Sequence, residues 1–231
     1  MKWDNTLLHG YRWCREISDL ETKQRRARKI VAEAQNGQVI GVGTGSSSFV
    51  GLCELGRRIE TEGLRVTVIP AASEIALACA AMGIPLTTLD AAKPDWCFDG
   101  ADEIGADGNI VKGRGGGLFR EKLIIAAADR RWLIAEDRKF VVQAGAVPIP
   151  VEVFPQAVHL AEAGLLELGA SAVRLRLAAA KDGPVVTENG NLLLDCTFPS
   201  IPSGLEKAIK SLTGVIESGL FQGYDFSYIR D

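Results

Sequence analysis

Three polar segments hold the residues of this chain that could do chemistry on a small charged molecule. Residues 99–103 read DGADE, and residues 112–122 read KGRGGGLFREK, so a segment with three acids is followed by a lysine and a glycine loop. A second glycine loop, GVGTGSSS at residues 41–48, follows an apolar run. Together these segments predict a site for a substrate that carries a phosphate.

The loop at residues 41–48 does not match the common nucleotide loops. Its glycines are spaced G-x-G-x-G, and it lacks the G-K-[ST] of the Walker A loop. Glycines nevertheless let the backbone approach an anion, while Thr44, Ser46 and Ser47 supply hydroxyl donors ahead of a predicted helix. The alternative is a tight turn with a serine N-cap. We favour phosphate binding because the loop holds more hydroxyls and glycines than a cap requires.

Asp99 and Asp102 allow three interpretations from residue type alone. Aspartates favour turns and caps through local hydrogen bonds, they can bind a divalent metal through oxygen, and they can act as a catalytic pair. Lys112 could stabilise an oxyanion in a dry site, or it could be a surface lysine at a turn. These alternatives stay open at this stage.

Glu121 falls in the first turn of a predicted helix, where a carboxylate interacts favourably with the helix dipole. In that position it could be purely structural, but buried in a cleft it could serve as a general base. A base, a lysine, two acids and a phosphate cradle fit proton abstraction next to a carbonyl group. Residue types alone do not identify the substrate.

Composition narrows the function classes. The formal net charge is −3, which does not favour binding to a polyanion such as DNA. The only two histidines, His9 and His159, make a histidine triad or a zinc site a poor expectation, and we predict no metal and no cofactor. Five scattered cysteines without a C-x-x-C pair are typical of reduced thiols and predict a cytoplasmic protein.

One segment is strongly basic, namely residues 23–29 with the sequence KQRRARK. We interpret it as the solvated face of an amphipathic helix rather than as a nucleic-acid patch. The N-terminal residues show no signal-peptide pattern, and no uncharged apolar run approaches the ~20 residues that span a bilayer. We therefore expect neither nucleic acid nor membrane among the partners.

Strands and helices alternate over the first part of the chain, which predicts an α/β fold with a Rossmann-like parallel sheet. Ligands of such sheets bind beyond the carboxyl ends of the strands, where both glycine loops and the acids are predicted to fall. The predicted strands are 38–42, 64–70, 85–89, 95–98 and 131–135, and the predicted helices are 17–33, 49–60, 73–82 and 118–128.

The pattern changes after residue 147 and predicts a second, smaller α+β domain. Residues 147–155 contain three prolines, which predicts a crossing at an edge or turn rather than a central strand. Helices at 156–168 and 203–211, a strand at 172–177 and a hairpin of 185–187 with 192–195 follow. The predicted division is therefore residues 1–147 plus 215–231 for the Rossmann-like domain and 148–214 for the small domain.

The order and spacing of these motifs resemble type A ribose-5-phosphate isomerase. The shared motifs are G-x-G-T-G-S-[ST] at 41–47, D-G-A-D-E-[IV] at 99–104 and K-G-x-G-x-x-x-x-R-E-K at 112–122. Further similarity lies at residues 148–153, 186–195 and 219–221, so the resemblance extends from about residue 23 to 221. It implies interconversion of ribose 5-phosphate and ribulose 5-phosphate through an enediolate, in the non-oxidative pentose phosphate branch, on a Rossmann-like domain with a smaller ferredoxin-like one.

The resemblance also implies roles for individual residues. Glu121 would be the base, Asp99 and Asp102 would help to open the sugar ring and hold its hydroxyls, and Lys112 would steady the oxyanion. The implied substrate-binding residues are Thr44, Gly45, Ser46, Ser47, Gly100, Ala101, Gly113, Arg114, Gly115, Lys139 and Lys23.

The family usually forms homodimers or homotetramers, so the resemblance implies the same assembly here. Arg114 stands where the family more often has glycine, and an arginine would be costly there if the position required a positive φ.

Two other classes of protein share such a scaffold and are alternatives to an isomerase. A sugar-phosphate sensor could dispense with the base, and an acyl-CoA transferase or hydrolase relative would use a glutamate as nucleophile.

Overall fold

The computed structural model describes residue 8 and residues 11–230. None of the helices in that part of the chain combines the length and the apolar character needed to cross a membrane. The chain forms two compact units. The first contains the described residues up to Gly100, Arg120–Asp137 and the described residues from Asp225 on, and the second contains Ala101–Phe119 and Arg138–Tyr224.

Thirteen short strands are present in the described residues: β1 Val39–Val42, β2 Thr67–Pro70, β3 Trp96–Asp99, β4 Glu103–Gly105, β5 Ile110–Val111, β6 Arg130–Leu133, β7 Phe140–Val141, β8 Ile149–Val153, β9 Ala172–Leu175, β10 Leu192–Thr197, β11 Val215–Ser218, β12 Leu220–Phe221 and β13 Ser227–Tyr228. Within residues 11–230 the helices are α1 Leu20–Val31, α2 Gly45–Glu62, α3 Ser73–Met82, α4 Leu118–Ala127, α5 Val158–Glu167 and α6 Leu205–Lys210, with 3₁₀ turns at Asp137–Lys139 and Pro155–Ala157.

The first unit is built on a parallel five-stranded sheet with the order β13-β6-β3-β1-β2. Its core contains fully buried Ile40, Leu52, Leu55, Trp96 and Phe98, which come from the central strands and from α2. This arrangement brings the carboxyl ends of β1 and β3 to the same edge of the sheet. The glycine loop after β1 and Asp99 at the end of β3 are therefore neighbours.

The second unit contains two further sheets. One is antiparallel with the order β11-β8-β10-β9, and it packs a buried apolar face that includes Val151, Leu194 and Cys196. The other has the order β12-β5-β4-β7 and is made of very short strands. The predicted fold class, a Rossmann-like parallel sheet with a smaller α+β part, is confirmed.

The strand at residues 149–153 corrects one prediction. The prolines predicted an edge or turn there, but β8 lies between β10 and β11 in the sheet. Pro150 is tolerated because its carbonyl accepts a bond from the Gly219 N–H (2.7 Å), beyond the last paired residue of β11. In an antiparallel pair the N–H and C=O of a residue face the same neighbour, so the missing N–H of Pro150 falls where β11 has ended.

One further prediction needs adjustment. Residues 85–89 were expected to form a strand, but Leu86 makes only an isolated bridge to Val68. The predicted division at residues 147 and 215 concerns independent domains and remains a prediction. The two compact units are divided differently, because residues 101–119, 138–147 and 215–224 belong to the second unit.

Candidate functional site

The glycine loop of the first unit leads directly into helix α2. We predicted a helix from residue 49, but α2 begins at Gly45, so Ser46 and Ser47 lie in its first turn. The N-cap is Thr44 rather than a serine, and Gly45 takes a left-handed φ of +77°. The first N–H groups of a helix have no partner within the helix and carry partial positive charge, so this loop offers donors to an anion.

Asp99 lies at the end of β3 and is 2% exposed. Its Oδ1 accepts three hydrogen bonds, from the Thr44 N–H (3.2 Å), the Ser48 hydroxyl (3.0 Å) and the Gly100 N–H (2.7 Å). Gly43 makes room for this carboxylate, because a Cβ on residue 43 would lie 1.9 Å from Asp99 Cγ. Asp99 is thus held rigidly against the loop that we predicted to bind phosphate.

Glu121 lies in the first turn of α4 and is 2% exposed. Its Oε1 accepts a hydrogen bond from the Thr44 hydroxyl, so Thr44 contacts Asp99 through its N–H and Glu121 through its side chain. One loop residue therefore links two carboxylates that we predicted to be catalytic. The burial of Glu121 favours the base interpretation over a purely structural helix-dipole role.

Lys23 is buried and forms part of a polar cluster in the same unit. Its Nζ lies 2.8 Å from Glu136 Oε1, donates to the Ser18 carbonyl (2.8 Å) and reaches the Ser46 hydroxyl at 3.3 Å. Burial opposes ionisation of Glu136, but the hydrogen bond and charge of Lys23, together with Ser18, outweigh it and lower the pKa of Glu136 to about 2. Glu136 and Ser18 were not predicted to belong to the site.

The basic segment at residues 23–29 also differs from its predicted role. We expected a solvated helix face, yet Lys23 is 3% and Arg26 0% exposed. Arg26 donates to the Ala135 carbonyl and pairs with Asp137 at 2.7 Å. The solvated interpretation is therefore wrong for these two cations, which α1 turns inward onto the segment that follows β6.

Replacing Glu136 by glutamine should destabilise the fold at neutral pH. A carboxylate whose folded pKa lies below its unfolded value stabilises the protein above the unfolded pKa, near 4.5, and this contribution disappears as the pH falls toward 2. We expect Glu136→Gln to lower the free energy of unfolding at pH 7 by about 3 kcal/mol, because it also leaves Lys23 without its counter-ion. Urea denaturation at pH 7, 4 and 3 measures this difference.

Glu33→Gln is the control for that measurement, because Glu33 pairs with Arg130 at the surface, where a salt bridge contributes little. The control should change the unfolding free energy by no more than about 0.5 kcal/mol at any pH. A Glu136→Gln deficit that stays constant from pH 7 to pH 3 would contradict the assigned ionisation.

The second unit contains Asp102 and the glycine loop at residues 113–117. The half-buried Asp102 accepts a hydrogen bond from the Arg114 N–H through Oδ2 (3.0 Å). Gly113 and Gly116 supply the left-handed conformations of the loop, with φ of +101° and +89°. Among the described residues Asp19 is the one non-glycine with a positive φ, so Arg114 is accommodated without that strain.

Lys112 is 2% exposed, so the surface-lysine alternative is wrong. Its N–H donates to the Gly219 carbonyl (2.8 Å), and its Nζ lies 6.0 Å from the centre of the Phe221 ring. The main chain is thus fixed by the segment between β11 and β12 while the ammonium group lies over an aromatic face. Such an arrangement limits the positions that the charge can occupy.

The other residues that we predicted to bind the substrate lie next to the residues described above or in the turn after β6. Gly100 follows Asp99 in the first unit, and Ala101 precedes Asp102 in the second. Gly115 is exposed within its loop, and Lys139 ends the 3₁₀ turn at Asp137–Lys139 and is half-buried. We did not predict a role for Ser48, whose hydroxyl donates to Asp99. It directly follows Ser46 and Ser47, which we predicted to bind phosphate through their hydroxyls.

Cysteines and potential metal ligands are the remaining reactive side chains of the described residues. The five cysteines are free, and burial raises the pKa of the Cys79 and Cys196 thiols to about 12, so neither is a thiolate at neutral pH. Within residues 8 and 11–230 no group of three or more His, Cys, Asp or Glu side chains is placed to hold a metal ion. The polar groups that the site does offer are carboxylates, hydroxyls and lysines.

Comparison with known protein families gives a consistent match. The family model described as ribose 5-phosphate isomerase A (phosphoriboisomerase A) matches residues 67–229. The ribose-5-phosphate isomerase A of Natronomonas pharaonis is 43% identical over 206 residues, covering 88% of this chain and 90% of the relative. The Methanothermobacter thermautotrophicus protein of the same name is 39% identical, covering 88% of this chain and 91% of the relative.

Solved structures agree with the sequence relatives. The structure of ribose 5-phosphate isomerase A from Methanocaldococcus jannaschii has a TM-score of 0.87 at 37% identity, covering 91% of this chain and 95% of its own. A D-ribose-5-phosphate isomerase solved in complex with phospho-erythronic acid has a TM-score of 0.85 at 32% identity, covering 90% and 94%.

Proposed function

This chain belongs to the ribose 5-phosphate isomerase A family and is an isomerase, and we propose that it interconverts ribose 5-phosphate and ribulose 5-phosphate through an enediolate with Glu121 as the base. The observation that carries the proposal is the hydrogen-bonded group of Thr44, Asp99 and Glu121 in the first unit. It joins a buried base to the loop whose donors suit a phosphate.

The proposed reaction moves one proton between neighbouring carbons. Once the ribose ring is open, the Glu121 carboxylate takes the proton from C2, and the released electron pair forms the C1–C2 double bond as the C1 carbonyl oxygen becomes an oxyanion. A proton then passes from the C2 oxygen to the C1 oxygen, and Glu121 returns its proton to C1. The product is the ketose, with no net gain or loss of electrons, so the reaction itself requires no redox cofactor.

Lys112 would stabilise the oxyanion. It is buried, and a positive group fixed in a water-poor environment stabilises a developing negative charge more strongly than it could in water. Its position is set by the main-chain bond to Gly219 rather than by a flexible surface loop. We propose electrostatic stabilisation of the enediolate as its role.

Asp99 and Asp102 would hold the hydroxyls of the sugar and help to open its ring. Asp99 is fixed by donors from Thr44, Ser48 and Gly100, which leaves it well ordered before substrate binds. Asp102 accepts the Arg114 N–H and so lies at the glycine loop of the second unit. Pre-positioned carboxylates of this kind reduce the entropy cost of reaching the reactive geometry.

We propose that the phosphate binds at the N-terminus of α2, with Thr44, Gly45, Ser46 and Ser47 as donors. Lys23 contacts the Ser46 hydroxyl at 3.3 Å and is paired with Glu136, so it would orient Ser46 at this end of the helix. Lys139 is proposed as a further phosphate ligand. Gly100, Ala101, Gly113, Arg114 and Gly115 are proposed to contact the sugar mainly through backbone atoms.

The cellular setting is also a proposal. We infer a cytoplasmic role in the non-oxidative pentose phosphate branch, with the protein assembled as a homodimer or homotetramer. Sedimentation equilibrium of the purified protein tests the assembly, and a monomer at micromolar concentration would contradict it.

The function is tested by incubating the purified protein with ribose 5-phosphate and measuring ribulose 5-phosphate. We expect turnover that survives EDTA, because the proposed machinery consists of carboxylates and a lysine. Loss of activity in EDTA that added metal restores would support a metal role for the acids. Binding of the sugar phosphate without turnover would instead favour a sensor and overturn the proposed reaction.

A further inference from the structure

Arg176 and Asp195 form an ion pair in the second unit that lies outside every residue group proposed above. Arg176 directly follows β9, and Asp195 lies in the neighbouring strand β10. Arg176 Nε donates to Asp195 Oδ2 at 2.9 Å, and Arg176 Nη2 donates to Asp195 Oδ1. The pair is therefore two-pronged, which fixes the plane of the guanidinium group.

The remaining donor of Arg176 is directed at the glycine loop. Its Nη1 donates to the Gly113 carbonyl at 3.1 Å and to the Arg114 carbonyl at 2.8 Å. Asp102 accepts the N–H of Arg114 at 3.0 Å. The peptide group between Gly113 and Arg114 is thus held by side chains at both its C=O and its N–H, and the next peptide group is held at its C=O.

The face of the sheet that carries Asp195 also packs against the glycine loop at residues 113–117. A Cβ on Gly116 would lie 3.2 Å from Leu193, and a Cβ on Gly113 would lie 3.4 Å from Pro150. Pro150 is the register partner of Asp195, and Leu193 and Asp195 share one face because alternate residues of a strand do so. The ion pair is therefore part of a continuous support beneath the loop.

We propose that Arg176, held by Asp195, is a positioning residue that sets the glycine loop at residues 113–117 and thereby the place of Lys112 and Asp102. This inference rests on the proposed function, since it assigns these two residues to the reaction. Arginine suits the role because a planar guanidinium can bind a carboxylate with two nitrogens while a third reaches the carbonyls. A lysine carries the same charge but cannot make both sets of bonds from one nitrogen.

Stability alone does not account for the pair. The side chains are 16% and 27% exposed, so solvent screens part of the attraction within the two-pronged pair, and the pair itself does not require the two bonds that Nη1 makes to the loop carbonyls. The two carbonyl acceptors belong to a loop rich in glycine, which has many alternative conformations when it is not held. We therefore expect loss of Arg176 to affect the loop more than the fold.

The test compares Arg176→Lys with Arg174→Lys, each as a single change in the otherwise unaltered protein. Arg174 is exposed, lies in β9 two residues before Arg176 and is the register partner of Asp195, so it controls for the change of residue type. Arg176→Lys should lower kcat for ribose 5-phosphate about 10- to 100-fold, because small misplacements of catalytic groups are costly, while KM changes little. Arg174→Lys should behave as wild type.

Hydrogen exchange provides a readout that does not depend on activity. Amides of residues 113–116 should exchange faster in Arg176→Lys, while the amides of β8 and β10 keep their wild-type rates and the melting temperature stays nearly the same. Asp195→Asn should reproduce both effects, and the double variant should lose no more kcat than Arg176→Lys alone. If Arg176→Lys fails to fold, Asp195→Asn and its loop exchange carry the test.

Three results would overturn the inference. These are wild-type kcat in Arg176→Lys, an equal loss in Arg174→Lys, or faster exchange spread over the whole second unit, which would indicate a purely structural role. These results are distinguishable from a failure of the proposed function, because in that case the wild-type protein itself would not convert ribose 5-phosphate. The loop-exchange result still decides whether Arg176 holds the loop in that case.

Discussion

Replacing Glu121 by glutamine should lower kcat for ribose 5-phosphate by about 10²–10⁴-fold, the usual contribution of a general base. Glutamine has the same shape, and its carbonyl oxygen can still accept the hydrogen bond from Thr44. The substitution therefore removes the ability to take up a proton with little change in packing. Steady-state kinetics of ribulose 5-phosphate formation measure the effect, with KM expected to stay close to the wild-type value.

Glu74→Gln is the matched control for this variant. Glu74 is also a first-turn glutamate, in α3, so its replacement removes the same charge from a helix N-terminus at a position to which we assign no role. It should keep wild-type kcat. Near-normal turnover in Glu121→Gln would remove Glu121 from the mechanism, and an equal loss in both variants would trace the effect to helix electrostatics.

Replacing Gly43 by alanine should be the next most damaging change. The added Cβ would lie 1.9 Å from Asp99 Cγ and 2.0 Å from Asp99 Oδ1, so the carboxylate would have to move by more than 1 Å. That movement breaks the bonds from Thr44 and Ser48 that position Asp99. We expect kcat to fall about 10²-fold, since displacements of this size cost that much, with a stability loss of about 1–3 kcal/mol from overpacking.

Gly56→Ala provides the comparison for Gly43→Ala. Gly56 lies within α2, where an added Cβ would meet the flexible Met82 side chain, at 3.1 Å for its sulfur, and would lie at an ordinary 3.7 Å from Ile84 Cδ1. Alanine also has the higher helix propensity, so this variant should be active and at least as stable as wild type. Full activity in Gly43→Ala would show that the position of Asp99 does not matter for turnover.

The parallel sheet and the two glycine loops could be predicted from the sequence because their signals are local. The helix predicted at residues 73–82 has the same bounds as α3, because its alanine-rich run ends at a glycine. Strands β4, β5 and β7 have only two or three residues each, which is too short for an alternating pattern to be detected. Their pairing depends on contacts with distant segments.

The buried cations show why the site was predicted only in part. We predicted that Lys23 and Arg26 face solvent, because their own helix is rich in charge. Their partners, Glu136 and Asp137, lie more than a hundred residues further along the chain. Long-range pairing of this kind leaves no periodic signal in sequence. Arg176 was missed for the same reason, because its bonds to the residue 113 and 114 carbonyls depend on tertiary structure alone.

The proton transfer assigned to Glu121 is tested most directly by running the reaction in D2O. Wild-type protein is kept with ribose 5-phosphate at equilibrium for many turnovers, and NMR then measures deuterium at C1 of ribulose 5-phosphate and at C2 of ribose 5-phosphate. A base that passes a proton through an enediolate should introduce solvent deuterium at both positions, and Glu121→Gln should lose this exchange. Interconversion of the sugars with no deuterium at either carbon would indicate direct hydride transfer and contradict the account.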